Sequence, residues 1–143
     1  MRTSAAGTKG LTLLELLVVV AIMALATAGV GFALRDSSQA QLEREAQRLA
    51  ILLETARAQS RMTAIPVRWQ PTPSGFSFEG LSSPALPTHW LSPDVRVASQ
   101  AGVLLGPEPI IGAQRIRLLS IAQPERSLSV ATDGVRPFAV QPD

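Results

Sequence analysis

Lys9-Gly10-Leu11-Thr12-Leu13-Leu14-Glu15-Leu16-Leu17-Val18-Val19-Val20 decides how the rest of the chain is read. A short polar leader carrying Arg2 and Lys9 ends at Gly10, an apolar run begins at Leu11, and one acid, Glu15, stands inside the first turn of that run. The apolar character continues through Val30, Phe32 and Leu34. Leu11 to Leu34 is therefore longer than the roughly 20 residues a helix needs to cross a bilayer. A lone carboxylate in hydrocarbon costs about 3 kcal/mol even on lenient insertion scales, which makes Glu15 a candidate functional residue in search of a positive partner.

Two simpler readings compete for these residues. In a secretory signal peptide, Arg2 and Lys9 would form the basic start and Leu16 to Met23 the apolar centre. Ala24-Leu25-Ala26 or Ala26-Thr27-Ala28 would then be the small-residue cleavage site. Glu15 interrupts the apolar region that begins at Leu11, where a signal peptide needs no acid, and the hydrophobicity runs past both cleavage sites. A plain single-pass anchor explains the length but neither Gly10 nor Glu15. The whole constellation resembles the type IV prepilin signature, the shared N-terminus of type IV pilins and of the pseudopilins of type II secretion. In that family a prepilin peptidase of the inner membrane cuts after the glycine and methylates the new N-terminus, and the acid of the first turn guides subunit docking. The resemblance implies cleavage between Gly10 and Leu11, N-methylation of Leu11 and a docking role for Glu15. Leu11 stands where the family usually has Phe; both are large and apolar, and processing is expected to survive.

On this reading residues 1–10 are a leader peptide and 11–34 the transmembrane half of a long helix. Residues 35–143 form a periplasmic globular domain that includes the helix's second half. Of the 143 residues, those after the apolar run amount to one small domain with a modest core. There is no cysteine, so disulfides, thiolate metal sites and thiol nucleophiles are excluded. The formal charge of +2 invites a nucleic-acid reading, but removing Arg2 and Lys9 leaves eleven basic against eleven acidic residues. The basic leader instead predicts orientation, with positive residues cytoplasmic and the C-terminal domain outside the cytoplasm.

No proline interrupts Thr12 to about Thr63, which predicts one long helix with Gly29 and Gly31 as weak points that allow a bend near the membrane surface in the isolated subunit. After Arg35 the helix becomes amphipathic. Leu42, Ala46, Leu49, Leu53 and Ala56 recur at spacings of four and three, and Glu43, Arg44, Glu45, Arg48, Glu54 and Arg57 fill other positions, expected to face solvent. Pro66 ends the helical region. Val67 to Gln70 and Phe76 to Glu79 read as a hairpin around a moderately long Pro71–Gly75 loop. Trp90 and Leu91 are expected to plug the core from a Pro- and Ser-rich stretch. Short strands follow at 94–97, 102–105, 115–118, 127–130 and 138–140, several alternating with period two. Thr132-Asp133-Gly134-Val135 is the turn expected to close the last hairpin. A long helix followed by antiparallel strands is an α+β architecture of the type IV pilin kind, the helix laid across sheet.

The soluble part carries a second, more diffuse resemblance. The charged Ala-rich helix around Glu45–Ala50 and Thr55–Ser60, Pro66-Val67-Arg68-Trp69, the Gly75–Phe78 hairpin, Leu86-Pro87 before Trp90-Leu91 and the closing Ala131–Gly134 are similar to the H-type minor pseudopilins of type II secretion. Minor pilins of the FimU and FimT kind share much of this pattern. The resemblance implies a subunit that starts or caps a periplasmic pseudopilus. Its partners would be other minor and major pseudopilins, the prepilin peptidase, an inner-membrane assembly platform, membrane lipid and secreted exoproteins. A role in type IV pilus assembly or DNA uptake is the alternative.

Catalytic chemistry is not expected. His89 is the single histidine, set in a Pro-rich loop without clustered acids, and no G-x-S-x-G, Walker or Rossmann pattern occurs. No enzyme activity, cofactor or metal is therefore expected. Arg115, Arg117, Arg126 and Arg136 are the residues a nucleic-acid face would use. Glu125 and Asp133 lie among them, there is no tyrosine, and aromatic residues for base stacking are few, so nucleic acid is not an expected partner.

Overall fold

The computed structural model describes residues 12–81 and 85–143, with side chains throughout except at 32–36. Helix α1 runs from Leu13 to Thr63, continuous through Gly29 and Gly31. The chain divides into an N-terminal unit ending at Asp36 and a globular unit, Ser37–Asp143.

In the globular unit, strands β1 (Arg68–Thr72), β2 (Gly75–Glu79) and β4 (Val103–Leu104) form an antiparallel sheet in the order β2-β1-β4. Strands β3 (Val95–Val97), β5 (Gln114–Ser120), β6 (Ser127–Thr132) and β7 (Ala139–Pro142) form a second antiparallel sheet in the order β3-β5-β6-β7. The architecture is α+β and pilin-like, an apolar N-terminal helix leading into a helix and antiparallel sheets.

The helical stripe read from the sequence is the face that packs. Leu42, Ala46, Leu49, Leu53 and Ala56 are all buried, in one cluster with Trp69 and Phe76 of the first sheet and Ile116, Leu118, Leu128 and Val130 of the second. Period-two burial in β5 places Ile116 and Leu118 inward and Arg115 and Arg117 outward. Burying such side chains supplies roughly 1.5–3 kcal/mol each against an entropy cost of similar total size.

Three expectations are corrected. Glu45 and Arg57 do not face solvent; they are 3% and 2% exposed. The Glu45 carboxylate accepts the N–H groups of Leu91 and Ser92 at 2.5 and 2.7 Å and lies 3.5 Å from Arg48. Two loop donors that would otherwise be orphaned are thus satisfied by a charge on the helix. Leu91 does not plug the core: its backbone is held by Glu45 and its side chain is exposed, whereas Trp90 is half-buried with its ring 4.7 Å from that of Phe76. The first hairpin is tighter than expected, because Pro71 and Thr72 pair with Phe76 and Gly75 and leave Pro73-Ser74 as the turn. Proline is tolerated there because the Phe76 N–H turns away to the Thr88 carbonyl, which makes Pro71–Phe76 a non-hydrogen-bonded pair, and on the other side β4 pairs only with Arg68 and Trp69.

The Asp133 turn does close the β6–β7 hairpin, and it makes a prediction for acid stability. The Asp133 carboxylate accepts the Arg136 backbone N–H at 2.7 Å, the Arg136 side chain at 2.7 Å and the Val135 N–H at 3.0 Å. These bonds, the Arg136 backbone first, hold its carboxyl well below the usual carboxylate range. Burial pushes the Asp143 carboxyl up, but Ser127, Ser129 and Arg117 together outweigh it and leave the net shift downward. Both groups are more acidic folded than unfolded, so their contribution is intact above the unfolded value near pH ~4 and is lost as pH falls below it. Thermal melts of the full chain in detergent micelles should be nearly flat from neutral pH to about 4 as far as these two groups act, and fall below it. D133N should shallow that acid limb; an unchanged limb would overturn the assignment.

Candidate functional site

The N-terminal helix begins with a cap. Thr12 precedes its first residue, and the Thr12 hydroxyl accepts the Glu15 backbone N–H at 3.2 Å while the Thr12 carbonyl accepts the Leu16 N–H at 3.1 Å. Thr12-Leu13-Leu14-Glu15 therefore has the Thr-x-x-Glu form of a capping box, a signal legible in the sequence that a reading centred on Gly10 and Glu15 passes over. Glu15 lies in the first turn, beside the positive end of the helix dipole. Gly10 and Leu11 lie outside the described residues.

From Leu13 to Gly31 the helix has a mean hydropathy of 2.5 over 19 residues and none of it is buried within the chain. At 1.5 Å per residue this is about 28 Å, close to the thickness of a bilayer's hydrocarbon core. Leu13, Leu14, Leu16 and Ile22, which point to different sides of the helix, are all exposed, so the apolar surface surrounds it. The one hydroxyl well inside the span is satisfied internally, Thr27 donating to the carbonyls of Met23 and Ala24 at 2.9 and 3.0 Å. That arrangement suits lipid, where an unsatisfied polar group costs several kcal/mol.

The other candidates do not converge. His89 is exposed; its backbone bridges to Gly75 and its carbonyl accepts Arg48 at 2.8 Å. Among the described residues no group of His, Cys, Asp and Glu is placed to hold a metal ion. Of the four arginines, Arg115 and Arg117 share the outward face of β5. Arg117 pairs with Asp143 at 2.6 Å, Arg136 with Asp133 at 2.7 Å, and Arg126 reaches Gln39 at 3.3 Å.

Residues 6–31 match the family model described as the prokaryotic N-terminal methylation motif. The chain has a prepilin-type N-terminus. This supports a type IV pilin-like or pseudopilin protein, and such proteins are in general structural rather than enzymatic. The prepilin-type motif and the apolar helix fit membrane anchoring with a soluble C-terminal domain. No curated protein and no solved structure matches this prepilin-type chain.

Proposed function

We propose that the protein is a minor pseudopilin of a type II secretion system, most similar to the H type. The observation that carries this reading is a single carboxylate, Glu15, in the capped first turn of a membrane-length helix whose apolar surface has no cover within the chain. Prepilin peptidase cuts between Gly10 and Leu11 and methylates Leu11. The helix is then held in the inner membrane, with the globular unit in the periplasm, until an assembly platform builds the subunit into a short pseudopilus. There Glu15 meets the charged N-terminus of a neighbouring subunit. Other minor and major pseudopilins surround the helix, and secreted exoproteins are the cargo moved toward the outer membrane. The balanced charge of residues after Gly10 and the pairing of Arg117 and Arg136 with acids favour this role over DNA capture by a type IV pilus minor pilin.

Intact mass and N-terminal sequencing of membrane-extracted protein, from cells with and without prepilin peptidase, test the first step. The expected result is a methylated N-terminus at Leu11 that disappears without the peptidase. A start near Thr27 or Gly29, or an uncut Met1, would return the chain to the ordinary secreted or anchored class. Loss of exoprotein release without loss of surface pili on gene deletion separates the secretion role from the pilus role.

A further inference from the structure

Gln114 ties the two sheets of the globular unit together, its side-chain amide pairing reciprocally with the Leu104 backbone at 3.0 and 2.7 Å. Away from that tie, a cleft of about 800 Å³ separates the hairpin tip, Pro71 to Gly75, from strand β3. β3 is the edge strand of its sheet.

The phase of the β3–β5 ladder determines where the β3 backbone groups point. The Ala98 N–H donates to the Arg117 carbonyl at 2.9 Å and the Ile121 N–H to the Asp94 carbonyl at 2.7 Å. Hydrogen-bonded and non-hydrogen-bonded pairs alternate along an antiparallel ladder. With Val95 opposite Ser120 and Val97 opposite Leu118, Arg96 bonds Leu119, while Val95 and Val97 turn their backbone groups away from β5, to the cleft side. The Val95 N–H reaches Ser92 at 3.4 Å; the Val97 N–H and carbonyl have no partner among the described residues.

The cleft also has a charge preference. Arg96 is the charged side chain lining it, and no acid lines it among the described residues. Asp94, next to β3, is turned inward, its carboxylate accepting the Ser120 hydroxyl and the Ala122 N–H, each at 2.6 Å. Arg96 pairs with Leu119, so it lies on the same outward face as Arg115 and Arg117. Val95, Val97 and Trp90 supply apolar lining on the other side.

We propose that the β3 edge accepts an extended acidic segment of a partner protein as an added strand. The segment's backbone bonds the Val97 N–H and carbonyl, its carboxylates face Arg96, and its alternate apolar side chains enter the cleft. The inference rests on ladder phase and charge, and is independent of processing at Gly10 and of the fibre in which the chain sits.

The test uses the full chain in detergent micelles with two short synthetic probes, one alternating valine with glutamate and one alternating valine with lysine. Hydrogen exchange at residues 95–98 should slow with the glutamate probe and not with the lysine probe. V97P keeps every β3–β5 bond, since that N–H does not point at β5, and should weaken the glutamate probe about tenfold, the value of roughly one hydrogen bond. R96E, at an exposed position, should reverse the preference between the probes, and it decides the matter if V97P fails to fold. Absence of protection by either probe, equal protection by both, or an unchanged preference in R96E would overturn the proposal. Protection of 95–98 that grows with protein concentration in the absence of probe would also overturn it, assigning the edge to a second copy.

Discussion

R57A should lose about 3 kcal/mol or more of the stability of the globular unit. The Arg57 guanidinium is buried and donates from Nη2 to the Gly134 carbonyl at 2.8 Å and the Pro109 carbonyl at 3.2 Å, with Nη1 3.5 Å from the Arg136 carbonyl. Glu54 lies 3.5 Å from it and itself accepts the Phe138 N–H at 2.9 Å. Helix α1 therefore holds, through one i,i+3 pair, both the loop before β5 and the loop between β6 and β7. Those loops are packed closely: Gly134 has φ of +95°, and a Cβ there would meet the Ile111 carbonyl. Hydrogen bonds to a charged donor contribute about 1.5–3 kcal/mol each, so losing those to Gly134 and Pro109 alone amounts to about 3 kcal/mol or more. For a domain of this size each kcal/mol moves the melting temperature by about 4–8 °C, so R57A should lower it by well over about 10 °C. R57K keeps the charge but not the planar fork that reaches several carbonyls, and should fall between the two. Thermal melts of the full chain in micelles decide it; an unchanged midpoint in R57A would mean that Arg57 is not the clamp.

Arg57 also marks where sequence reading stops. The spacing of Leu42, Ala46, Leu49, Leu53 and Ala56 was sufficient to find the packed face, because apolar residues at helical period have one physical explanation. Glu45 and Arg57 carry no such mark. A charged residue on an amphipathic helix reads as solvent-facing, and their partners, Leu91, Ser92, Pro109 and Gly134, come from loops whose approach no local pattern encodes. Strand positions were legible from alternation, but the length of the first hairpin turn was not, since Pro71 looks like a breaker until the Phe76 N–H is seen to bond Thr88. At the N-terminus the position is reversed. Gly10, Leu11 and Glu15 are a pattern in the sequence, and the structure adds the Thr12 cap that sets Glu15 in the first turn. The open edge of β3 belongs to the ladder phase, which exists only once β3 and β5 are paired.

On the proposed function, E15L should insert in the membrane and be processed at Gly10 to the same extent as the parent chain, yet fail to enter the fibre. Insertion is not expected to suffer, because removing a carboxylate from an apolar span removes an insertion cost. The helix itself loses little. Thr12 still accepts the backbone N–H of residue 15. The loss falls on association. If Glu15 meets the amino group of a neighbour at about 4 Å, their attraction is about 4 kcal/mol at an effective dielectric constant near 20. Without it the neighbour's amine is left buried and unpaired, at a cost of about 3–5 kcal/mol, equivalent to more than a hundredfold in incorporation at equal subunit concentration. E15Q, which keeps a hydrogen-bond acceptor but no charge, should sit close to E15L, whereas E15D keeps the charge with a shorter reach and should be intermediate. The measurement is the ratio of fibre-associated to membrane-resident subunit, with the mass of the N-terminus read from both pools. Wild-type incorporation of E15L, or E15Q behaving as the parent while E15L fails, would falsify a charge-pair role and leave Glu15 as no more than the acid of a helix cap.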